Sequence, residues 1–266
     1  LNSVKVVLGF LELGLAFKFL SNVDLVYNLY IIHRETFFLI WIIIGISLIL
    51  YLLGFIRFPH DSKLKKLSKM RMAFTALVIT FTVYISTGVL SSSPWNHNLL
   101  AGFPPPAWYS WYDTETFHPE IFHAEFDDYD LAAKYAKEVN KPILIDFTGW
   151  ACVNCRQMEE TVWTVEEIKN LLEFDFIVVS LYVDEKIELP ANKQGVYEYI
   201  NSGDTLKTKI MTNGDKWAKF QTFYFQNNSQ PYYAMLSPNG ELLGNPIGYT
   251  PDVDKYKAYL KCGLNA

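Results

Sequence analysis

The sequence predicts an α-helical membrane segment followed by a soluble α/β domain. Residues 1–93 are dominated by uncharged apolar runs, whereas the rest of the chain carries most of the acidic groups. In that second part, short apolar runs typical of strands alternate with longer helical segments. We therefore expect a membrane segment at 1–93, a linker rich in proline and aromatic residues at 94–114, and a soluble domain at 115–266.

Composition excludes two classes of protein. The formal net charge is -5, and no basic stripe is present to displace counterions from phosphates, so we expect no nucleic-acid partner. Three cysteines are too few for a scaffold held together by disulfides, and two of them form a Cys-x-x-Cys motif.

Three apolar runs predict three transmembrane helices. Phe37–Ile56 and Met72–Leu90 are uncharged and long enough to cross a hydrocarbon core of about 30 Å. The first run, Val4–Leu20, contains Glu12 and Lys18. An ionisable group at membrane depth is a functional candidate. The alternative is that Lys18 reaches the interface and Glu12 faces the interior of a helix bundle.

The charges of the loops predict the orientation. Between the second and third runs lies one acid, Asp61, among six basic residues, namely Arg57, Lys63, Lys65, Lys66, Lys69 and Arg71. The positive-inside rule places this short loop in the cytoplasm, and the third span then carries the chain outward. We expect a multi-pass protein of the bacterial inner membrane, with its C-terminal domain in the periplasm.

Neither end of the first run indicates a secretory signal. The sequence opens with Leu1 in an apolar stretch, without a charged region before it or a cleavage site after it. We expect the sequence to begin inside a longer protein.

The junction between the two halves is rich in proline and aromatic residues. A proline triplet, Pro104–Pro106, favours an extended and fairly stiff spacer. Aromatic residues beside a span commonly lie at the headgroup level; here they are Trp95, Trp108, Tyr109, Trp111 and Tyr112. A platform on which a ligand stacks is the alternative.

The predicted order of elements in the soluble half is β-α-β-α-β, followed by a hairpin and then a helix. Asp127 or Asp128 can cap the first helix, and Asn239-Gly240 indicates the hairpin turn. The predicted strands are 121–126, 143–148, 176–183, 232–237 and 241–243, and the predicted helices are 129–139, 152–172 and 252–262. Residues 185–228 read as irregular.

The Cys-x-x-Cys motif follows a buried strand. Cys152 is predicted at the start of a helix, where unpaired backbone N–H groups stabilise a thiolate and lower its pKa below the free value of about 8.5. Cys155 lies on the same helix face and can close a disulfide or resolve a mixed one. Cys152 is therefore the expected attacking thiol and Cys155 the resolving thiol.

Two acids are candidates for proton transfer. Asp146 lies in the predicted buried strand, where desolvation raises a carboxyl pKa towards neutrality; it could instead cap a turn. Glu159 lies one turn beyond Cys155 and is either a second acid or a solvated helix residue.

The run D-F-x-x-W-x-C-x-x-C, from Asp146 to Cys155, resembles a thioredoxin active site. The resemblance implies a thioredoxin fold in which Asp146 relays protons to and from the resolving cysteine. It also implies a cis bond between Gln230 and Pro231 facing the site, and a substrate-binding surface formed by Trp150, Gln230 and Pro231. Pro231 follows Cys155 by 76 residues, more than a minimal thioredoxin needs, which indicates an insertion near 185–228 beside the site.

The whole chain resembles the C-terminal part of DsbD-type transmembrane thiol:disulfide interchange proteins. The runs F-T-G-W-A-C-V-N-C-R-Q-M-E-E and K-W-A-K-F-Q with Q-P-Y-Y carry this resemblance. It implies a protein-disulfide reductase without a cofactor, in which Glu159 belongs to the site. It implies electron flow from cytoplasmic thioredoxin through membrane cysteines to this domain. Electrons then pass to a periplasmic DsbD-like acceptor domain or disulfide proteins, which supports disulfide isomerisation and cytochrome c maturation.

One departure from that family concerns the membrane cysteines. No cysteine lies in residues 1–93, so the relay pair is expected upstream in a longer chain or in a separate protein.

Three alternatives remain open at this point. The motif could be half of a zinc site completed by Cys262, His118 or His123. The domain could act as a thiol oxidase or isomerase, because a tenfold shift in the two-electron equilibrium is only about 30 mV. It could also be a binding module with an inert disulfide.

Overall fold

The computed structural model describes residues 2–59, 61, 66–90, 97–112, 122–201 and 204–266. The chain divides into two compact units, Leu1–Asp24 with Leu29–Pro119, and Glu120–Ala266 with Leu25–Asn28. Several residues singled out in the sequence lie outside the described residues, namely Lys63, Lys65, Trp95, His118 and Ile121.

The first unit contains three long helices, α1 (Asn2–Val26), α2 (Arg34–Leu53) and α3 (Lys69–Leu90). All three are long and apolar enough to cross a membrane, which confirms the predicted helical membrane segment. Helix α2 ends at Gly54, whose φ of 89° is a left-handed conformation that favours glycine. Close packing of α2 on α3 occurs at Gly45, where a Cβ would collide with Thr82; small residues commonly allow such approach between membrane helices.

Glu12 and Lys18, two of the ionisable residues of α1, differ in burial. Glu12 is exposed on the helix surface, whereas Lys18 is buried. The Lys18 ammonium donates to Asn22 Oδ1 at 2.8 Å and lies 5.8 Å from the centre of the Phe103 ring. Within the described residues of this unit, Lys18 is therefore the enclosed residue and Glu12 the exposed one, the reverse of the placement expected from the alternative interpretation.

Residues 97–112 do not form the extended spacer expected from the proline triplet. Tyr109 is buried, and its hydroxyl donates to the carboxylate of Asp24 at 2.8 Å. Arg34 donates from a guanidinium nitrogen to the carbonyl of Pro105 at 2.6 Å, and Glu35 accepts from the backbone N–H of Trp111 at 3.0 Å. Buried carboxylates require such donors, and these bonds hold the segment against the helices of its own unit.

The second unit is an α/β domain with a mixed sheet. Its helices are α4 (Tyr129–Val139), α5 (Val153–Thr161), α6 (Glu166–Asn170), α7 (Asn213–Phe225) and α8 (Val253–Leu264). Its strands are β1 (Ile143–Thr148), β2 (Ile177–Tyr182), β3 (Gly195–Asn201), β4 (Asp204–Ile210) and β5 (Tyr232–Leu236). The described strands form a three-stranded sheet of order β2-β1-β5 and a separate hairpin of β3 and β4.

Strand β1 forms the centre of the sheet, parallel to β2 and antiparallel to β5. All six of its residues are buried, because helices cover both faces. Alternate side chains of β1 point to opposite faces of the sheet and pack in two separate cores. Ile143, Ile145 and Phe147 lie in the core on the face covered by α4 and α7. Leu144 lies in the core on the face covered by α5 and α8. Asp146 is even-numbered like Leu144, so it lies on the face that α5 covers.

Two segments that were predicted to be strands each form a single isolated β-bridge instead. The described part of the segment 121–126 forms only one parallel bridge, between Phe126 and Val179. The segment 241–243 forms one antiparallel bridge, between Leu242 and Leu236. The hairpin turn itself is present, and Gly240 has a φ of 87°, a conformation for which glycine carries no steric penalty.

The helix predicted at 152–172 is interrupted. α5 ends at Thr161, α6 begins at Glu166, and a π-helical turn spans Leu171–Asp175. β-Branched residues occupy four positions between 161 and 165, which disfavours helix there. Two glutamates in the first turn of α6 favour a new start.

The segment expected to be irregular, 185–228, contains regular structure. Strands β3 and β4 pair antiparallel from Gly195 opposite Ile210 to Asn201 opposite Asp204. The two segments that flank this hairpin are joined by a hydrogen bond of 2.8 Å from the Leu189 N–H to the Met211 carbonyl. Helix α7 follows, and its Trp217 is buried in the core of the domain. Within the described part of 185–228, the β3–β4 hairpin forms its own two-stranded sheet and does not pair with the three-stranded sheet.

Candidate active site

The Cys-x-x-Cys motif lies at the carboxyl end of β1, where the chain turns into α5. The carboxylate of Asp184, just beyond β2, accepts from the backbone N–H groups of Trp150 and Ala151 at 2.8 and 3.1 Å. A Cβ at Gly149 would lie 3.0 Å from Asp184 Oδ2, so a small residue allows this close approach. The turn before Cys152 is thus held by a neighbouring strand as well as by its own chain.

Cys152 and Cys155 form a disulfide, with Cα atoms 5.3 Å apart. Cys152 caps α5, and its sulfur accepts from the backbone N–H of Cys155 at 3.2 Å. Cys152 is partly exposed, whereas Cys155 is only 1% exposed. This asymmetry permits an incoming sulfur to reach Cys152 and shields Cys155.

Asp146 lies within β1 and is 1% exposed, so it does not cap a turn. Its Oδ2 accepts from the Ser180 hydroxyl at 3.0 Å, and its Oδ1 has no hydrogen-bond partner among the described residues. Burial raises the pKa of the Asp146 carboxyl from 3.8 to about 7, against the lowering effects of Arg156 and Ser180.

Glu159 lies on α5 with its side chain 15% exposed, and it forms an ion pair of 2.8 Å with a guanidinium nitrogen of Arg156. The solvated alternative for this residue is therefore wrong. Burial raises the pKa of the Glu159 carboxyl from 4.5 to about 8, while Arg156 lowers it. The site thus contains two acids that change charge near neutral pH, the range in which general acid–base catalysis is effective.

The indole of Trp150 lies beside the disulfide and is fixed by two contacts. Its ring stacks on Tyr182 with centroids 3.9 Å apart and planes 16° apart. Its Nε1 donates to Glu185 Oε1 at 3.1 Å. A half-buried aromatic ring held in this way is a rigid surface next to the partly exposed sulfur.

The peptide bond between Gln230 and Pro231 is cis, as the thioredoxin resemblance implies. Strand β5 begins at the next residue, Tyr232, which pairs with Phe147 near the carboxyl end of β1. Pro231 therefore lies at the edge of the sheet from which α5 starts. The Gln230 side chain donates to Gln221 Oε1 of α7 at 2.9 Å, and this hydrogen bond joins the loop before β5 to α7.

Sequence reasoning missed three residues that build the site, namely Arg156, Tyr182 and Asp184. Nothing in the local sequence indicates that Arg156, next to Cys155, is buried, because arginine on a helix is usually exposed. Asp184 was detectable in principle, since it directly follows a strand parallel to β1 and therefore lies at the same sheet edge.

Cys262 is a free and exposed thiol on α8. No group of three or more histidine, cysteine or acidic residues that could hold a metal ion occurs in the part of the chain that the structure describes.

Comparison with known proteins identifies the fold family. A search among curated proteins gave no match. Two solved structures are similar at a TM-score of 0.37: a "DsbH Oxidoreductase", 16% identical over 56% of this chain and 89% of the other, and a thioredoxin from Thermus thermophilus, 19% identical over 53% and 86%. Residues 129–263, just over half of the chain, match the family described as "Thioredoxin-like domain". Such a domain with a Cys-x-x-Cys disulfide supports thiol–disulfide oxidoreductase activity, and the chain belongs to the thioredoxin-like domain family.

Proposed function

We propose that this chain is a membrane-bound protein-disulfide reductase of the DsbD type. The observation that carries the proposal is the asymmetric disulfide, with one accessible sulfur and one buried sulfur at the edge of a sheet that holds a buried acid. The three apolar helices that precede the domain, which are long enough to cross a membrane, support a location at a membrane. The cysteine pair carries the electrons, so no cofactor is required.

In the proposed reaction the reduced domain attacks a partner disulfide. The Cys152 thiolate bonds to one partner sulfur and releases the other as a thiolate, which takes a proton. Cys155 then gives its thiol proton to a carboxylate of the site and attacks Cys152 Sγ. The Cys152–Cys155 bond forms, the second partner sulfur leaves as a thiolate that takes the proton from the carboxyl, and two electrons have passed to the partner.

The proposed partners lie on both sides of this step. Downstream acceptors are periplasmic disulfide proteins or a periplasmic DsbD-like domain, through which electrons support disulfide isomerisation and cytochrome c maturation. Upstream, a membrane cysteine pair fed by cytoplasmic thioredoxin re-reduces the domain. Since residues 1–93 contain no cysteine, that pair belongs to a preceding part of the protein or to a separate membrane protein.

A redox titration separates this proposal from its alternatives. We expect the full chain in detergent, carrying Cys262→Ser so that only one pair titrates, to show a midpoint between about -200 and -300 mV. The titration uses glutathione, extended with dithiothreitol at the reducing end. A midpoint near -120 mV would indicate an oxidase, and one far below -300 mV would indicate an inert structural disulfide.

The proposed topology predicts where a C-terminal reporter is active. Alkaline phosphatase fused after Ala266 is expected to be active, because the basic loop before α3 favours the cytoplasm and α3 then carries the chain out. The matched control is the same reporter fused after Lys66, in that loop, which should be inactive. The opposite pattern of activities would contradict an external site for the domain.

A further inference from the structure

We propose that Arg156 is a positioning residue of this site, the shared counterion that keeps Asp146 and Glu159 able to accept the proton of Cys155. The inference rests on the proposed function and adds to it the residue that tunes proton transfer. Arg156 is next to the resolving cysteine in sequence, yet it is 3% exposed. A guanidinium so deeply buried requires compensation from anions and hydrogen bonds.

The contacts of Arg156 join the helix to the end of the sheet. One terminal nitrogen lies 2.8 Å from Glu159 Oε2, and the other donates to Thr148 Oγ1 at 3.0 Å. The guanidinium carbon lies 5.9 Å from the centre of the Tyr182 ring. These contacts fix the charge at the carboxyl ends of β1 and β2, on the sheet face that carries Asp146.

The remaining groups that influence this cluster are acids and phenols. They come from every element packed around it, namely Asp146 of β1, Glu159 and Glu160 of α5, Tyr182 of β2, Tyr233 of β5 and Tyr256 of α8. Among the described residues, Arg156 is the cation that acts on both Asp146 and Glu159. It lowers the pKa of both carboxyls, whereas burial raises them.

Two unpartnered atoms show that the cluster is not a closed structural network. Within the described residues, Arg156 Nε and Asp146 Oδ1 are buried without a hydrogen-bond partner. Buried polar atoms are nearly always paired, and exceptions often mark catalytic sites. A free carboxylate oxygen on the face beneath α5 is the acceptor that the resolving step needs.

The expected effect of losing Arg156 follows from the transfer of the Cys155 proton to a carboxylate. Within the site, Cys155 can give its proton to a carboxylate only when that carboxylate is ionised; with no such acceptor the proton must pass directly to solvent, which is slower. Burial raises the pKa of both carboxyls, and without the guanidinium the lowering effect of Arg156 is lost. Each acid therefore remains protonated to a higher pH. The resolving step then requires more alkaline solution, although the cysteines themselves are unchanged.

The test measures the pH dependence of the resolving step in the full chain. A fluorescent thiol is attached to Cys152 as a mixed disulfide, in a Cys262→Ser background, and its release is followed between pH 5 and 10. We expect Arg156→Met to move the midpoint upward by at least one pH unit, which slows release about tenfold at pH 7. Arg156→Lys should recover most of the wild-type profile, because the charge is restored. Lys207→Met, which removes an exposed cation paired with Glu198, should leave it unchanged.

A double-mutant comparison keeps the proposal testable if Arg156→Met folds poorly. In a background with Asp146→Asn and Glu159→Gln, Arg156→Met leaves no buried anion unpaired. It is expected to have no further effect on the pH profile, since both acids through which Arg156 acts are gone. An unshifted or downward-shifted profile for Arg156→Met in the otherwise wild-type site would overturn the proposal. Such a result would leave the reductase function intact, whereas failure of the wild-type chain to release the thiol at any pH would contradict that function.

Discussion

Replacing Cys155 with serine is expected to stop the reaction at the mixed disulfide and to leave partner proteins attached to Cys152. The sulfur of Cys152 remains partly exposed and able to attack, but a serine hydroxyl cannot form the second sulfur–sulfur bond. Serine has nearly the volume of cysteine, and Cys155 is buried at the start of α5, so we expect the domain to fold. Steady-state turnover should be lost while adducts accumulate.

The adducts can be measured on non-reducing gels and identified by mass spectrometry, in the full chain carrying Cys262→Ser. That background removes the exposed thiol on α8, which could otherwise form adducts of its own. The matched control, Cys152→Ser, should form none, because its remaining thiol is buried. Adducts through Cys155 at an equal level would reverse the roles assigned to the two sulfurs.

Replacing Asp146 with asparagine is expected to stabilise the domain while slowing exchange. The carboxyl pKa is about 7 in the folded protein and 3.8 ordinarily, so above pH 4 the folded state binds more protons than the unfolded state. Stability therefore falls as the pH rises from about 4 to 7. At about 1.4 kcal/mol for each pH unit, the full effect above pH 7 is on the order of 4 kcal/mol.

Asparagine carries no charge at any of these pH values, so this loss of stability should disappear. We expect the free energy of unfolding at pH 8 to rise by about 2 to 4 kcal/mol, with the pH dependence between 4 and 7 reduced. Glu159 titrates in the same direction, so part of the dependence should persist. Hydrogen exchange at the amides of β1 would report on the domain in the full chain.

The rate of thiol–disulfide exchange should fall in this variant, although its free energy of unfolding rises. Loss of one proton acceptor is expected to slow release of a partner thiol about tenfold to a hundredfold at pH 7, with Glu159 supplying the remainder. Glu241→Gln, which neutralises an exposed acid, should change neither property. A variant with unaltered exchange across pH 6 to 9 would remove Asp146 from the mechanism.

Local signals predicted the parts of the fold that depend on nearby residues. Asp128 caps α4 through its side chain, and β1 begins and ends where its apolar run does. Helix α7 carried a comparable signal that went unread: Thr212 and Asp215 form a capping box, a pattern that indicates a helix start. This helix start lies within 185–228, the segment interpreted as an irregular insertion, and was therefore not predicted.

The features that escaped prediction depend on contacts between distant parts of the chain. Tyr109 is buried because it bonds to Asp24, 85 residues earlier, and no local composition reveals such a partner. Arg156 carries no local signal of its burial, since burial of a guanidinium on α5 is decided by the sheet that the helix covers. The cysteines and Asp146 were accessible to sequence reasoning because their spacing is itself the signal.

The closed base of the β3–β4 hairpin has a consequence for how this domain can diversify. Where the chain leaves and returns, the Leu189 N–H donates to the Met211 carbonyl and the Asn213 N–H donates to the Ile187 carbonyl. The intervening stretch is therefore a module whose ends are already joined. The entropy of closing a loop grows only slowly with its length, so this module can be lengthened, shortened or exchanged at little cost. The redox chemistry and the added surface can therefore evolve independently of each other.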